Sequence, residues 1–272
     1  MRKKRLKKSV SPVYLSLVLV FLYLPVLVVV VFSFNDNPAR NPTVFTGFTL
    51  EWYRDLFKNT RGYWDALAVS LELAFWSCAL SVIIGTIGAV GMARRMTEGR
   101  ANFAARAAEM MTTLPILIPE IILGLAFMSM FYFAGIPMGM TALVLSHTTF
   151  CVPYVFIIVK GRMAGLDPAL SEAARDLGAN ERRVFTDIIL PLIRPAIISG
   201  AVLAVAMSLD DFIISVFLSG AYTVTLPLKI YSSVRTGVSP QINALCSVML
   251  AIAFLIVGIS KLAGRKRNAD KA

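Results

Sequence analysis

Six apolar runs, at 13–34, 66–93, 110–133, 138–159, 196–218 and 242–260, punctuate the chain. Each meets or approaches the roughly 20 residues that a helix needs to cross a hydrocarbon layer about 30 Å thick. Charged side chains inside them are few: Glu72 in the second, Glu120 in the third, Asp210 and Asp211 in the fifth. The pattern predicts an all-α polytopic membrane protein with six transmembrane helices. The first run follows a basic start, as in a signal peptide. It is too long for one and lacks a small-x-small cleavage site before Asn35, so it is expected to be retained as a span.

Composition supports lipid as the solvent. The chain is 57% hydrophobic and 16% charged, against about half and a quarter in soluble domains, and its mean hydropathy is +0.72. The net charge of +11 does not form a basic stripe with interleaved aromatics, which argues against nucleic acid. Its distribution sets orientation instead. With six spans, 21 of the 27 Lys and Arg residues fall on the side holding both termini, which the positive-inside rule makes cytoplasmic. Cys78, Cys151 and Cys246 lie within apolar runs without CxxC spacing, and read as packing residues rather than metal ligands or disulfides.

Two connections are long. Residues 35–65, on the outer side, begin with turn formers (Asn35, Asp36, Asn37, Pro38, Asn41, Pro42) and continue into an aromatic, helical piece at 50–57. The cytoplasmic stretch 160–194 has helical periodicity. Leu170, Ala173, Ala174 and Leu177 share one face. Asp167 is placed to cap that helix with Pro168 at its first position, and Gly178 to end it. A second amphipathic run (Val184, Phe185, Ile188) leads to a corner at Leu190-Pro191, where the fifth span is expected to start. Three segments follow: 1–65, with the basic start, first span and outer loop; 66–262, with the other five spans and the loop at 160–194; and 263–272, a basic tail.

Within that loop, Glu172-Ala173-Ala174 is followed after three residues by Gly178, and after nine more by Ile188, Leu190 and Pro191. This resembles the EAA-x3-G-x9-I-x-L-P signature of ATP-binding-cassette (ABC) importer permeases, without a departure. The resemblance implies a type I (MetI-like) permease fold in which Glu172, Ala173, Ala174, Gly178, Ile188, Leu190 and Pro191 build a coupling knob that docks on a separate ATPase. An amphipathic helix lying on headgroups is the plainer reading of the same periodicity. Further stretches (146–151, 208–212, 226–231 and 238–245) are similar to the spermidine/putrescine branch, and to the C-type of its two unlike permeases. That implies a heterodimeric membrane unit, an ATP-binding protein dimer that carries the ATP and Mg, a periplasmic polyamine-binding protein, and a bacterial inner-membrane location.

The acids fit a cationic cargo. The six runs hold four carboxylates and no Lys or Arg. An ionised side chain in hydrocarbon costs at least about 2.5–3.5 kcal/mol, so each should face a cavity, a partner or a cation. Glu120 follows Pro119, with Pro115 four residues before it; these prolines should kink or break the helix near mid-membrane. Asp210 and Asp211 lie about 100° apart on a continuous helix, so one is expected to line the pathway and the other to bond a neighbouring helix. Trp52 suits either a cation–π contact with an amine or a place in the interfacial aromatic belt. Glu72 lies in the outer part of its span and suits either the interface or the pathway. His147, the single histidine, is expected to hydrogen-bond between helices. No GxxxxGK[ST] loop, nucleophile–base set or metal-ligand cluster is present, so the chain itself is expected to be neither an ATPase nor a metal protein. Other cargoes (iron, thiamine, phosphonate) and a gradient-driven secondary transporter are the alternatives.

Overall fold

The computed structural model describes residues 2–37, 44–97 and 103–269. Pro38, Arg40, Asn41 and Pro42 of the outer loop and Arg100 of the basic 94–106 loop lie outside the described residues. The described chain is helical, with a single isolated antiparallel bridge between Asn35 and Phe48. The helices are α1 Arg2–Phe32, α2 Glu51–Phe57, α3 Tyr63–Thr97, α4 Phe103–Leu117, α5 Glu120–Phe133, α6 Met140–Ala164, α7 Ala169–Asp176, α8 Glu181–Arg183, α9 Leu190–Asp210, α10 Ile213–Leu218, α11 Leu226–Arg235 and α12 Pro240–Ala269. A π-helical segment, Val184–Ile189, joins α8 to α9.

Four helical stretches are long and apolar enough to cross a membrane: Pro12–Phe32, Tyr63–Met96, Met140–Ala164 and Glu181–Asp210. The α4–α5 pair passes as a fifth if it counts as one span, although it is bent by 111°. The apolar part of α12, Pro240–Ile256, is shorter.

Two compact units form, Met1–Tyr63 with Ile230–Ala272, and Trp64–Lys229. In the first, α12 packs against α1 and α2. The junction before α3 is tied by Arg61 Nη1 donating to Ser239 Oγ at 3.1 Å, and by Gln241 Nε2 donating to Thr60 Oγ1 at 3.2 Å. None of α1's apolar window is buried within the chain; Phe21, for instance, is 77% exposed. Such a surface requires lipid or another subunit to cover it.

The second unit is built on α6, which packs along α9. Close approach depends on small residues, as expected where lipid removes the hydrophobic drive between helices. A Cβ on Gly85 of α3 would lie 2.9 Å from the Cβ of Val155 on α6. On the opposite flank, a Cβ on Gly200 of α9 would lie 3.3 Å from the Val155 Cα. Val155 itself is fully buried. At one end of the unit, Lys160 pairs with Glu109 across α6 and α4, and Arg162 Nε donates to Leu192 O at 3.1 Å.

Two expectations change. The fifth span does not start at 196 after a corner at Leu190-Pro191. Helix runs without a break from Glu181 to Asp210. The π turn accounts for this: the Leu190 N–H reaches back five residues to Phe185 O, and Pro191, which has no N–H, enters the rod where the register is already shifted. That span also does not continue as α-helix to 218. It breaks after Asp210, and Asp211 is extended at φ −63°, ψ 124°. The third run, by contrast, breaks where its prolines predict, at Ile118-Pro119 between α4 and α5.

Candidate functional site

Two sets of residues stand out in the second unit, a protruding loop and a pair of broken helices.

In the loop, Asp167 Oδ1 accepts from the Ala169 N–H at 3.0 Å, with Pro168 between them, so Asp167 caps α7 as its position predicts. The other end closes as a Schellman motif. Ala179 N–H donates to Ala174 O at 3.0 Å and Gly178 N–H to Arg175 O at 2.9 Å, with Gly178 at φ +84°. Asn180 restarts the chain as helix, its Oδ1 accepting from Arg183 N–H at 2.9 Å. Of the apolar face of α7, only Ala174 is buried; Leu170 is 47% and Leu177 90% exposed, and Glu172 and Ala173 are exposed too. The face is therefore directed outward rather than packed on the chain's own core. Ile188 and Leu190 are half-buried and Pro191 is exposed.

Glu181 fastens this knob. Arg175 Nε donates to its Oε1 at 2.7 Å and Arg94 Nη2 to its Oε2 at 2.6 Å. One carboxylate thus joins the end of α7 to the end of α3. The Arg175 hydrogen bond first, and then the charges of both guanidiniums, hold the Glu181 carboxyl below the usual glutamate range, against a smaller upward push from burial. The fork therefore contributes at and above ordinary carboxylate pKa values and is lost as pH falls through the lowered folded value. The pair is exposed, so its net worth is about 0–1 kcal/mol. Glu181→Arg is expected to loosen the end of α7, read as faster amide hydrogen exchange at Ala179 and Arg183, and Arg94→Glu in the same chain to recover part of the protection. Equal exchange in the parent and Glu181→Arg would show that the fork does not hold the knob.

The broken helices place the acids. Glu120 is the first residue of α5, directly after the break, and is half-buried. Asp210 ends α9 and Asp211 lies in its break before α10. Helices α5 and α10 run side by side. A Cβ on Gly124 would meet the Phe217 ring at 2.5 Å, and Gly139 N–H donates to Leu218 O at 2.9 Å. The two breaks are thereby brought together, with Glu120 in electrostatic range of both Asp210 and Asp211.

The two aspartates differ through a break in the helix rather than by rotation around it, and Asp211 bonds the next helix of its own run rather than a neighbouring span. Asp211 is buried. Its Oδ1 accepts from Ile214 N–H at 3.2 Å, and its Oδ2 from Ser215 N–H at 3.0 Å and Ser215 Oγ at 2.9 Å. It caps α10 through these three hydrogen bonds, and its Oδ2 also lies 3.3 Å from His147 Nε2. Asp210 is exposed, and neither it nor Glu120 has a hydrogen bond or ion pair among the described residues. Glu72 is exposed on α3. His147 is fully buried, with Nδ1 3.0 Å from Ser208 Oγ on α9, the interhelical bond expected of it. Trp52 belongs to the other unit. It is half-buried, and its indole N–H donates to Asn35 O at 2.8 Å.

Sequence reading passed over Arg94, Arg175 and Glu181, and the buried serines Ser77, Ser81 and Ser208. For Ser77 and Ser81 a signal was available: their i, i+4 spacing makes a polar stripe on an otherwise apolar helix.

A multi-span helical protein with an outward-facing cytoplasmic knob and charged helix breaks in its core is a transport permease, and comparison with known proteins agrees. Residues 81–265 match the family described as binding-protein-dependent transport system inner membrane component. The spermidine/putrescine transport system permease protein PotC of Haemophilus influenzae is 36% identical over 255 residues, covering 94% of this chain and 96% of that protein. The putrescine transport system permease protein PotI of Escherichia coli is 39% identical over 251 residues, covering 90% and 86%. Among solved structures, a bacterial ABC transporter involved in alginate import superposes with a TM-score of 0.73 at 17% identity, covering 98% of this chain and 96% of that one. The MetNI methionine ABC transporter does so with 0.56 at 18% identity, covering 76% and 94%. This chain belongs to the binding-protein-dependent transport system inner membrane components. It is a multi-pass inner-membrane permease, not an enzyme, and works with a separate ATPase and a periplasmic binding protein.

Proposed function

We propose that the chain is one permease subunit of an importer that moves polyamines such as spermidine and putrescine into the cytoplasm by alternating access. Six spans with both termini cytoplasmic, the bent α4–α5 pair and α12 included, accord with the charge distribution. An unlike second permease covers the exposed α1, and an ATP-binding protein dimer, which carries ATP and Mg, grips the α7 knob. A periplasmic polyamine-binding protein delivers cargo.

The observation that supports the cargo best is the pair of carboxylates, Glu120 and Asp210, left without partners at adjoining helix breaks. Broken helices commonly line transporter binding sites. Two ammonium groups on a flexible chain supply the charge these acids lack. Trp52 has its N–H satisfied, which leaves a ring face for an amine at a cost to neither. Asp211, which caps α10, shapes the pathway rather than touching cargo.

The test is reconstitution of the complete transporter in vesicles with its binding protein inside or outside as orientation requires. ATP-dependent accumulation of radiolabelled spermidine or putrescine is expected, and none when the ATPase is omitted. Accumulation without the ATPase would indicate a gradient-driven carrier. ATP hydrolysis stimulated by iron, thiamine or a phosphonate, and not by polyamine, would replace the cargo.

A further inference from the structure

A buried polar chain ties three helices to the break that separates Asp210 from Asp211. Ser77 Oγ on α3 lies 3.2 Å from Ser208 Oγ on α9, and Ser208 Oγ lies 3.0 Å from His147 Nδ1 on α6. His147 Nε2 lies 3.3 Å from Asp211 Oδ2. That last approach is within ion-pair range but is long and off-line for a hydrogen bond, and among the described residues Nε2 has no hydrogen-bond partner. The side chains of His147 and Asp211 are 0% and 2% exposed. With the proton on Nε2, Ser208 donates to the ring and the ring N–H faces the carboxylate, while the Ser77 hydroxyl, beside Ser208, is also held by Leu73 O of its own helix at 2.7 Å. Asp211 passes this restraint on to α10, whose first turn it caps.

We propose that His147 is a positioning residue for the cargo pathway. By holding Asp211 on α10, it fixes the break in the fifth span and so leaves Asp210, alone of the pair, facing the pathway beside Glu120. The inference rests on the proposed function for the word "cargo", but its geometry does not. A buried histidine serving only to join α6 to α9 through Ser208 would have no need of Asp211. Without the ring, Asp211 would hold only the first turn of α10, and the hydrogen bond between α10 and the α6 end would be that of Gly139 N–H to Leu218 O, at the helix's other end. A buried carboxylate depends on its polar neighbours, so loss of the ring should redirect it toward water.

The test reads the position of the break without reference to cargo. In the assembled transporter, Asp210→Cys is expected to react with a water-borne methanethiosulfonate faster than the parent chain, whose cysteines are Cys78, Cys151 and Cys246. Adding His147→Ala should change that rate about tenfold, since it strips a buried carboxylate of the polar ring that lies 3.3 Å from it. Adding His147→Gln, whose amide can donate to Asp211 and accept from Ser208, should keep it within about threefold. If the alanine variant does not accumulate, the glutamine variant and Asp211→Asn decide the matter. The glutamine variant should keep the parent rate and Asp211→Asn should shift it. Further, His147→Ala and Asp211→Asn together should shift the rate no more than the larger single change. Unchanged labelling in His147→Ala, alanine-like labelling in His147→Gln, an unshifted rate in Asp211→Asn, or independent, multiplying effects would each overturn the proposal. Failure of the cargo reading shows separately, as uptake that is indifferent to Glu120→Gln and Asp210→Asn while the labelling pattern stands.

Discussion

Replacing Gly178 with valine is expected to leave the permease in the membrane and associated with its second subunit, but to lower cargo-stimulated ATP hydrolysis about ten- to hundredfold. Gly178 holds φ +84°, where a β-branched residue is strained. The cost of holding such a residue there is about 1–3 kcal/mol, and 1.4 kcal/mol is a factor of ten. The chain's escape from that strain is to give up the two Schellman bonds, Ala179 to Ala174 and Gly178 to Arg175, that aim α7 relative to the rod beginning at Glu181. The substituted Cβ meets nothing within 4 Å, so the effect is conformational rather than steric. Asparagine, which tolerates the left-handed region better, should retain most of the activity. Stimulated hydrolysis by the valine variant at the parent rate, in an assembled complex, would show that the knob does not transmit the signal.

Neutralising the pathway acids is expected to reduce uptake nearly as much. Glu120→Gln and Asp210→Asn should each lower polyamine uptake about tenfold at subsaturating cargo. Together they should lower it about a hundredfold, with membrane abundance kept, because a charge-assisted contact to an ammonium is worth about 1.5–3 kcal/mol. Asp211→Asn should behave differently. Its carboxylate accepts from Ile214 N–H, Ser215 N–H and Ser215 Oγ, and an amide has one oxygen with which to replace two. Its NH2 would face a donor, so abundance or heat resistance should fall before cargo affinity does. Radiolabelled uptake normalised to immunoblotted permease separates the two outcomes. Equal loss of abundance in all three variants would erase the distinction between Asp210 and Asp211.

Both predictions use residues that stand out in the sequence for unlike reasons. Gly178 belongs to a spaced motif whose local structure follows from neighbours in sequence: Asp167 capping, Pro168 at the first helical position, a glycine at the end. Such features are legible because capping and left-handed turns are decided within a few residues. Glu120 is legible too, since it follows Pro119, where the helix breaks, although Pro115 is carried inside α4. The continuation of helix through Leu190-Pro191 was not. A π turn spends one extra residue per hydrogen bond without any marking side chain, so a corner and a straight rod share the same letters. Nor was the fork at Glu181, whose partner Arg94 is 87 residues away in sequence.

Composition, apolar run lengths and local capping residues by themselves determined a helical membrane protein and the local form of its α7 knob, because burial in lipid and local backbone chemistry act on each segment separately. Only the tertiary structure decided which aspartate is free and which is bound. That choice depends on α6 presenting His147 to a break in α9, and on Gly124 admitting the Phe217 ring so that α5 and α10 lie side by side. Contacts between distant segments are set by shape complementarity in three dimensions, which a linear pattern of apolar and polar positions does not encode one residue at a time.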